Sequence, residues 1–243
     1  MIGSLYGRAI RRFASLLPLP DIDPQASTIL ERARRFSMTS QERLFSVVQS
    51  VRHVVAAGVP GDFVECGVWR GGSTMAAALT LLSLGRRDVA LHLFDTFEGM
   101  TAPTDRDVDY AGVRASDRFA RKKVRRGSKW CAASLEDVRA NLSTTGYEMS
   151  KFVLVKGRVE DTIPEAAPRQ ISILRLDTDW YESTRHELEH LFPRLSPGGV
   201  LIIDDYGYWQ GSRQATDEYF AKHGVKILLS RIDFTGRMGI KAE

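Results

Sequence analysis

Four aspartates of this sequence stand in two pairs, each directly after an apolar run. Asp177 and Asp179 follow the run ISILRL. Asp204 and Asp205 follow the run VLII. Carboxylates that meet at neighbouring strand ends repel one another unless protons or a cation compensate their charge. An all-oxygen ligand set without Cys or His favours a hard divalent ion, Mg²⁺ first and Ca²⁺ or Mn²⁺ after it. The alternative is that these acids cap helices and face solvent.

A glycine-rich turn and a further acid have the spacing of an organic cofactor site. The turn ECGVWRGGS, residues 65–73, joins a strand to a helix, whose N-terminus favours an anionic group. Asp95 ends the next strand, where a carboxylate can accept hydrogen bonds from ribose hydroxyls. The glycines do not match Gly-x-Gly-x-x-Gly, and Glu65 would repel a pyrophosphate but attract an ammonium group. These residues favour a nucleoside that carries an amino acid over NAD, with a plain tight turn as the alternative.

Parallel strands are needed to bring these residues together. From Asp62 onward, apolar runs typical of strands alternate with helical stretches. The predicted strands are Phe63–Cys66, Val89–Phe94, Phe152–Val155, Ile171–Leu176, Val200–Ile203, Val225–Leu229 and Met238–Lys241. The predicted helices are Ser73–Leu84, one capped by Ser134, Glu182–Leu195 and Ser212–His223, with a turn at Pro197–Gly199. This order predicts an α/β fold with a doubly wound, mostly parallel sheet and an antiparallel C-terminal pair. In such sheets, ligands bind at the carboxyl ends of the strands.

Length and composition predict one domain spanning residues 1–243. The chain is 43% hydrophobic and 26% charged, and we find neither internal repeats nor a low-complexity linker. Two cysteines, Cys66 and Cys131, cannot build a disulfide framework, which favours a reducing compartment and a cytoplasmic location. No apolar run approaches the roughly 18 residues of a membrane-spanning helix.

The N-terminal residues predict a helical extension over residues 1–40. Apolar residues recur at helical spacing from Ile2 to Leu17, and three arginines lie away from that stripe. The apolar stretch before Pro18 is too short for a signal peptide. This helix packs on the domain or on a partner subunit, which favours a homo-oligomer, or it lies on a membrane surface.

A strongly basic segment accounts for the net charge of +4. Eight of the 34 basic residues fall between Arg114 and Lys129, where Asp117 is the one acid. The segment is either a solvated face or a surface that steers an anionic substrate. Because no aromatic residues are interleaved for base stacking, a nucleic-acid partner is not expected.

Four motifs together resemble a known family. FVECGVWRGGS, FDTFEGM, LRLDTDWYEST and IIDDYGYWQG occur in the order typical of the macrocin O-methyltransferase (TylF/MycF/NovP-like) family. Its members are S-adenosylmethionine- and metal-dependent sugar O-methyltransferases, and the similarity extends from about Met38 to Phe220. The resemblance implies a class I methyltransferase, Rossmann-like fold. It also implies that residues 101–129, unusually basic here, form a lid over the cofactor.

The resemblance assigns roles to individual residues. It implies a metal triad of Asp177, Asp204 and Asp205, with Mg²⁺ as the first candidate ion, and Asp179 as general base. Glu65 and Gly67 would hold the methionine end of S-adenosylmethionine, and Asp95 its ribose. The other implied cofactor contacts are Thr39, Gly71, Ser73, Thr96, Val159 and Asp177, although Thr39 is explained equally well as a helix cap. Aromatic residues beside the acids either wall an acceptor pocket or pack in the core: Trp180, Tyr181, Tyr206, Tyr208 and Trp209.

The expected reaction is therefore methylation of a sugar hydroxyl on a glycoside, either a natural product, as in antibiotic biosynthesis, or a glycan. A catechol or other phenol is the nearest alternative acceptor. Phenol methyltransferases commonly use a lysine beside the more acidic hydroxyl, whereas the LDTDW motif offers an aspartate. A domain that binds the cofactor without catalysis is a further alternative, disfavoured because all four acids are present.

A second motif predicts different chemistry. His186-Glu187-Leu188-Glu189-His190 matches H-E-x-x-H, the zinc metallopeptidase helix. The apolar face of this helix is formed by Leu188, Leu191 and Phe192. At about 100° per residue, both histidines point to the opposite side, towards solvent. The helical pattern therefore argues against a peptidase.

Overall fold

The computed structural model describes residues 21–124 and 127–242. The α-helices in these ranges are α1 (Pro24–Ala33), α2 (Gln41–Ala56), α3 (Gly72–Ser83), α4 (Ala115–Lys122), α5 (Leu135–Ser143), α6 (Val159–Thr162), α7 (Tyr181–Leu191) and α8 (Gln210–His223). The strands are β1 (Asp62–Cys66), β2 (Leu91–Asp95), β3 (Phe152–Lys156), β4 (Ile171–Leu176), β5 (Leu195–Ile203), β6 (Ser230–Arg231) and β7 (Arg237–Ile240). The helix predicted between Ile2 and Leu17 lies outside the described residues.

One sheet contains all of these strands, in the order β3-β2-β1-β4-β5-β7-β6. Strands β1 to β5 are parallel, and β7 runs antiparallel to both β5 and β6. In β1, Cys66 lies between Phe94 of β2 and Leu176 of β4, and Leu176 lies beside Ile203 of β5. The predicted α/β fold is confirmed, and this register brings the ends of four strands to one edge.

Helices cover both faces of the sheet because successive strand residues point to opposite sides. Phe63 of β1 faces a core formed with α1, α2, α3 and α5. Its neighbour Val64 faces a second core formed with α6, α7 and α8. Burial on both sides fixes the strands, and with them the loops at their carboxyl ends. Within the described residues, no helix is long and apolar enough to cross a membrane.

Side-chain caps define where several helices begin. Ser134 accepts a hydrogen bond from the backbone N–H of Asp137, so the predicted cap of α5 is confirmed. Ser40 likewise caps α2 by accepting from the N–H of Arg43. The cap fixes the direction in which α2 leaves the preceding loop, and Arg43 stands in its first turn.

Two local predictions near the C-terminus were wrong. Residues 225–229 form no strand, and β6 begins at Ser230. Burial alternates along this segment: the side chains of Val225, Ile227 and Leu229 pack against the core, whereas Leu228 is 82% exposed. Among the described residues, the segment nevertheless pairs with no neighbouring strand of the sheet. The turn expected at Pro197–Gly199 lies inside β5, whose register against β4 is shifted there.

The segment 101–129 is fastened at both ends. The buried Asp107 side chain accepts hydrogen bonds from the N–H of Tyr181, at 2.8 Å, and from the N–H and hydroxyl of Thr104. At the other end, the N–H of Ser128 donates to the carbonyl of Glu98, and the N–H of Met100 donates to that of Trp130. Trp130 packs edge-on against Trp180 and in a tilted arrangement against Trp209. Helix α4 lies between these two anchors.

Candidate active site

A deep cavity opens at the carboxyl edge of the sheet, where the four loops meet. It is lined by most of the residues that the sequence singles out: Thr39, Gly67, Ser73, Asp95, Thr96, Val159, Asp177, Asp179, Asp204 and Asp205. Tyr208 and Trp209 also line it, whereas Trp180 and Tyr181 are buried beside it. Glu65 and Gly71 lie behind its wall.

Gly67 allows the ends of β1 and β4 to approach closely. Its backbone has φ +84°, and a Cβ built on it would stand 2.0 Å from the carbonyl oxygen of Asp177. The N–H of Asp177 donates to the carbonyl of Cys66 at 2.8 Å, and the N–H of Gly67 donates to that of Phe94. Any larger residue would push Asp177 out of position.

Gly67→Ala is therefore expected to lower stability by about 1–3 kcal/mol and to weaken nucleoside binding, because the displaced atom is backbone. The matched control is Gly85→Ala. Gly85 also has positive φ, +73°, but has nothing within 4 Å of its Cβ position. Chemical denaturation would give the free energy of unfolding of both variants, and the difference between their losses would give the cost of the contact with Asp177. An equal loss in the two would show that the contact with Asp177 is unimportant.

Asp95 joins the two loops at the glycine-rich end of the cavity. Its Oδ2 accepts hydrogen bonds from the N–H groups of Val68, at 2.7 Å, and Trp69, at 3.1 Å. Its Oδ1 accepts one from the N–H of Phe97 at 2.8 Å. The Thr96 hydroxyl also lies 3.4 Å from Oδ1 but donates at 2.7 Å to the carbonyl of Gly99, so a lone pair of Oδ1 can accept a further bond from a ribose hydroxyl. The carboxylate is thus held in place for the predicted contact.

Glu65 is placed differently from Asp95. It is 1% exposed, and its carboxylate accepts hydrogen bonds from the Thr74 hydroxyl and from Arg175 Nη1, the latter at 2.6 Å. Burial raises the pKa of Glu65. In this position Glu65 holds Arg175 rather than facing the cavity.

Three aspartates converge at the other end of the cavity. Asp177, Asp179 and Asp205 each place one carboxylate oxygen so that the three lie within 4.8 Å of one another. Asp205 Oδ2 is buried and has no hydrogen-bond partner among the described residues. Asp179 adopts a left-handed backbone, with φ 69°, which is uncommon for a residue with a side chain. A convergent set with an unpaired oxygen fits a hard cation.

Asp204 is engaged by two arginines that the sequence analysis did not single out. Its Oδ1 accepts from Arg175 Nη2 at 2.7 Å, and its Oδ2 contacts Arg43. Arg175 also reaches Asp177 Oδ2 at 2.8 Å, and Arg43 Nε reaches Asp233 at 2.9 Å. The triad grouped by the structure is therefore Asp177, Asp179 and Asp205, with Asp204 beside it.

The arginines offset only part of the negative charge. The surrounding carboxylates belong to Glu65, Asp177, Asp179, Asp204, Asp205 and Asp233. Burial raises the pKa of Asp177 and of Asp205, and for Asp205 the neighbouring Asp179 adds to the effect. Burial likewise raises the pKa of Asp179 to about 7. The excess negative charge makes this end of the cavity attractive to a divalent cation.

The histidine motif on α7 does not form a metal site. His186 Nε2 lies 2.9 Å from the carbonyl of Ile163, so this ring is half-buried rather than directed to solvent. Glu187 points into the core, where its Oε1 accepts from the Thr178 hydroxyl at 2.9 Å. Within residues 21–124 and 127–242, the aspartates above are the one group of three or more side chains arranged for a metal.

Comparison with known proteins gives consistent results. The chain is 38% identical over 217 residues to 8-demethyl-8-(2,3-dimethoxy-alpha-L-rhamnosyl)-tetracenomycin-C 4'-O-methyltransferase of Streptomyces olivaceus, covering 89% of this chain and 80% of that protein. It is 35% identical over 204 residues to demethyldecarbamoylnovobiocin O-methyltransferase of Streptomyces niveus, covering 84% and 75%. The solved structure of the O-methyltransferase NovP superposes with a TM-score of 0.76 at 33% identity, covering 86% of this chain and 83% of that one. The macrocin-O-methyltransferase (TylF) family model matches residues 31–238. The chain belongs to the macrocin O-methyltransferase (TylF) family.

Proposed function

We propose that this protein transfers a methyl group from S-adenosylmethionine to a sugar hydroxyl of a glycoside. One observation carries the proposal: a single cavity joins the Asp95 loop, suited to a nucleoside, to the convergent carboxylates of Asp177, Asp179 and Asp205. The Streptomyces olivaceus relative is named for a rhamnosyl-tetracenomycin acceptor, which supports a sugar acceptor. No lysine lines the cavity within the described residues, so a lysine-assisted phenol reaction is disfavoured.

The cofactor is proposed to lie along the glycine-rich edge. Asp95 and Thr96 would hold the ribose, and Val159 would contact the adenine. The N-terminus of α3 at Ser73, with its unpaired N–H groups, suits the methionine carboxylate. The cofactor contacts nearer the acids are assigned to Thr39, Gly67 and Asp177. Glu65 and Gly71 would act from behind the wall, Glu65 through Arg175 and Gly71 through the turn that opens α3.

The residues proposed to hold a divalent cation, first of all Mg²⁺, are Asp177, Asp204 and Asp205. An oxygen of Asp204 can accept a hydrogen bond from arginine and still offer a second lone pair. When bound, the cation supplies Lewis-acid polarisation of the acceptor hydroxyl and helps to orient it. The orphaned Asp205 Oδ2 is the atom that such an ion would satisfy.

Asp179 is proposed to take the proton of the acceptor hydroxyl. S-adenosylmethionine supplies the methyl group, which passes to the acceptor oxygen as its bond to sulfur breaks and the bonding pair stays on sulfur. One carboxylate oxygen of Asp179 lies within 4.8 Å of an oxygen of Asp177 and of Asp205, so a base at this position would stand beside the residues proposed to hold the cation. Trp130 and Trp209 also line the cavity and add apolar surface to it.

A mass-spectrometric screen tests the reaction class and the cation together. Candidate glycosides are incubated with S-adenosylmethionine and the protein, with chelator, without it, and with Mg²⁺ restored after chelation. The expected result is a gain of one methyl group on the sugar that disappears on chelation and returns with Mg²⁺. Methylation that is unaffected by a chelator would remove the cation from the proposal. Transfer to a phenol of the aglycone would contradict the sugar acceptor.

Further parts of the proposal concern the whole chain. Residues 1–243 are proposed to form one domain with a helical extension over residues 1–40, and residues 101–129 to act as a lid over the cavity. We also propose a homo-oligomer, a cytoplasmic location and no nucleic-acid partner. The lid is supported by the cavity-lining positions of Thr101 and Arg118.

A further inference from the structure

The mouth of the cavity carries a cationic side chain that the proposed chemistry does not use. Arg118 of α4 lines the cavity, and its guanidinium carbon lies 4.3 Å from the centroid of the Trp130 ring. Arg43 and Arg175, deeper in the cavity, are each held by Asp204. In the part of the chain that the structure describes, Arg118 forms no ion pair with a carboxylate and is exposed. Its charge is therefore available to a ligand.

The rest of α4 adds positive charge around Arg118. Arg121, Lys122 and Lys123 are exposed at its C-terminal end, and Asp117 is the acid within the helix. Arg114, just before the helix, meets Asp105 at 3.5 Å, but both side chains are largely exposed. Ion pairs of this kind are weak, so Arg114 can exchange Asp105 for another anionic partner. An anionic group at the mouth would be attracted and retained.

Aromatic side chains from three separate segments form a cluster that reaches the cavity through Tyr208. The Tyr110 ring packs edge-on against Tyr208 at 5.5 Å and against Phe234 at 5.1 Å, measured between centroids. Tyr110 is 50% exposed and Phe234 is 42% exposed, while Tyr208 lines the cavity. Tyr208 also links the two features: burial and the neighbouring Asp109 raise the pKa of Tyr208, and the nearby Arg118 opposes that rise. Exposed rings beside cations are suited to a planar base attached to phosphates.

We infer that the acceptor is a nucleoside diphosphate sugar, with its phosphates against Arg118 and the cations of α4 and its base on the aromatic cluster of Tyr110, Tyr208 and Phe234. A guanidinium donates two parallel hydrogen bonds to a phosphate, which a neutral glycoside cannot accept in this way. The sugar would then extend inward towards Asp179. This inference rests on the proposed function, since it names the acceptor for the same site.

Binding is measured first, because it does not depend on turnover. The full-length protein, saturated with S-adenosylhomocysteine, is titrated by calorimetry with thymidine diphosphate and with uridine diphosphate. Arg118→Gln is expected to weaken binding about tenfold or more, as loss of a charge-assisted hydrogen bond does. Arg139→Gln is the matched control, since Arg139 is an exposed arginine on α5 outside the cavity lining, and should leave affinity within about twofold. Equal S-adenosylhomocysteine affinity in both variants confirms that they are folded.

A second variant tests the base contact separately. Tyr110→Leu is expected to weaken binding of the nucleoside diphosphate several-fold while leaving inorganic pyrophosphate unchanged. Equal effects on both probes, or none on either, would overturn the placement of the base on the aromatic cluster.

Turnover then compares a nucleoside diphosphate sugar with the methyl glycoside of the same sugar. The nucleotide sugar is expected to have a kcat/KM at least about tenfold higher, and Arg118→Gln should raise its KM with little change in kcat. Equal use of both acceptors, or equal effects of Arg118→Gln and Arg139→Gln, would overturn the inference. Methylation of the neutral glycoside without nucleotide binding removes this inference alone. Nucleotide binding without methylation of any sugar removes the proposed function instead.

Discussion

Asp179→Asn is expected to reduce turnover by a factor of about 10² to 10⁴ while leaving S-adenosylmethionine affinity unchanged. The amide has nearly the shape of the carboxylate but cannot accept the acceptor's proton. Asparagine is also one of the few residues that tolerates the left-handed backbone, φ 69°, at this position. The substitution therefore removes the proposed base without moving the loop. Single-turnover rates would measure the loss of turnover. Calorimetric titration with S-adenosylmethionine and with S-adenosylhomocysteine would measure affinity at the cofactor site.

The matched control is Asp88→Asn, which removes a carboxylate that pairs with Arg86 before the amino end of β2, away from the cavity. Its turnover should equal that of the wild type. Wild-type turnover in a folded Asp179→Asn variant would exclude Asp179 as the base. A parallel loss of cofactor affinity would assign it to binding instead.

The second large effect is expected from Arg175→Met, which should lower stability by about 3–5 kcal/mol. Arg175 is 2% exposed and joins Glu65, Asp177 and Asp204, so its removal leaves buried carboxylates without their cation. For a chain of this size, the melting temperature should fall by roughly 6–20 °C. Differential scanning calorimetry would measure the loss. Arg86→Met, which breaks the exposed pair with Asp88, should cost about 1 kcal/mol or less.

The loss in Arg175→Met should also depend on pH. Burial already raises the pKa of Glu65 above its ordinary value of 4.5, and Arg175 opposes that rise. Without Arg175, the pKa of Glu65 in the folded state moves higher still. At any pH at which Glu65 is ionised in the unfolded chain, folding must then either protonate Glu65 or bury its charge, and this lowers the free energy of unfolding. The deficit relative to wild type should be largest near neutral pH and should shrink as the pH falls towards 4.5. A deficit that stays constant between pH 5 and pH 8 would show that unpaired carboxylates are not its cause.

The sequence alone predicts the part of the site that follows from strand order. Asp95, Asp177 and Asp204 each come directly after a buried apolar run, and parallel strands end at one edge of the sheet. The position of these residues in the cavity therefore needs no knowledge of side-chain packing. The α/β topology follows from the same alternation of apolar runs and helical stretches.

The arginines could not be placed in the same way. Arg43 belongs to α2, far from Asp204 in sequence, and no local pattern indicates that it enters the acidic cluster. Arg175 did give a signal, since a charged residue inside an otherwise apolar, fully buried strand requires a partner. That signal indicates buried ion pairing but does not identify the partners. The grouping of Asp179 with Asp205, like the engagement of Asp204 by arginine, depends on these long-range contacts.

The basic segment shows a related limit. Its sequence lacks interleaved aromatic residues, yet the fold brings Tyr208 and Phe234 against Tyr110 from segments far along the chain. Local composition describes what a segment carries, whereas the surface that a ligand meets is assembled from several segments. Residues 225–229 illustrate the same point for backbone structure, because alternating burial does not supply a hydrogen-bonded neighbour.

The two anchors of the segment 101–129 have an evolutionary consequence. Asp107 holds one end to the start of α7, and Ser128 with Trp130 holds the other against Glu98 and Met100. Residues between these fixed points can change in length and charge at low entropic cost, because their ends are already held together. A related sequence could replace this stretch and change what the cavity presents to a ligand, while the loops at the strand ends stay unchanged.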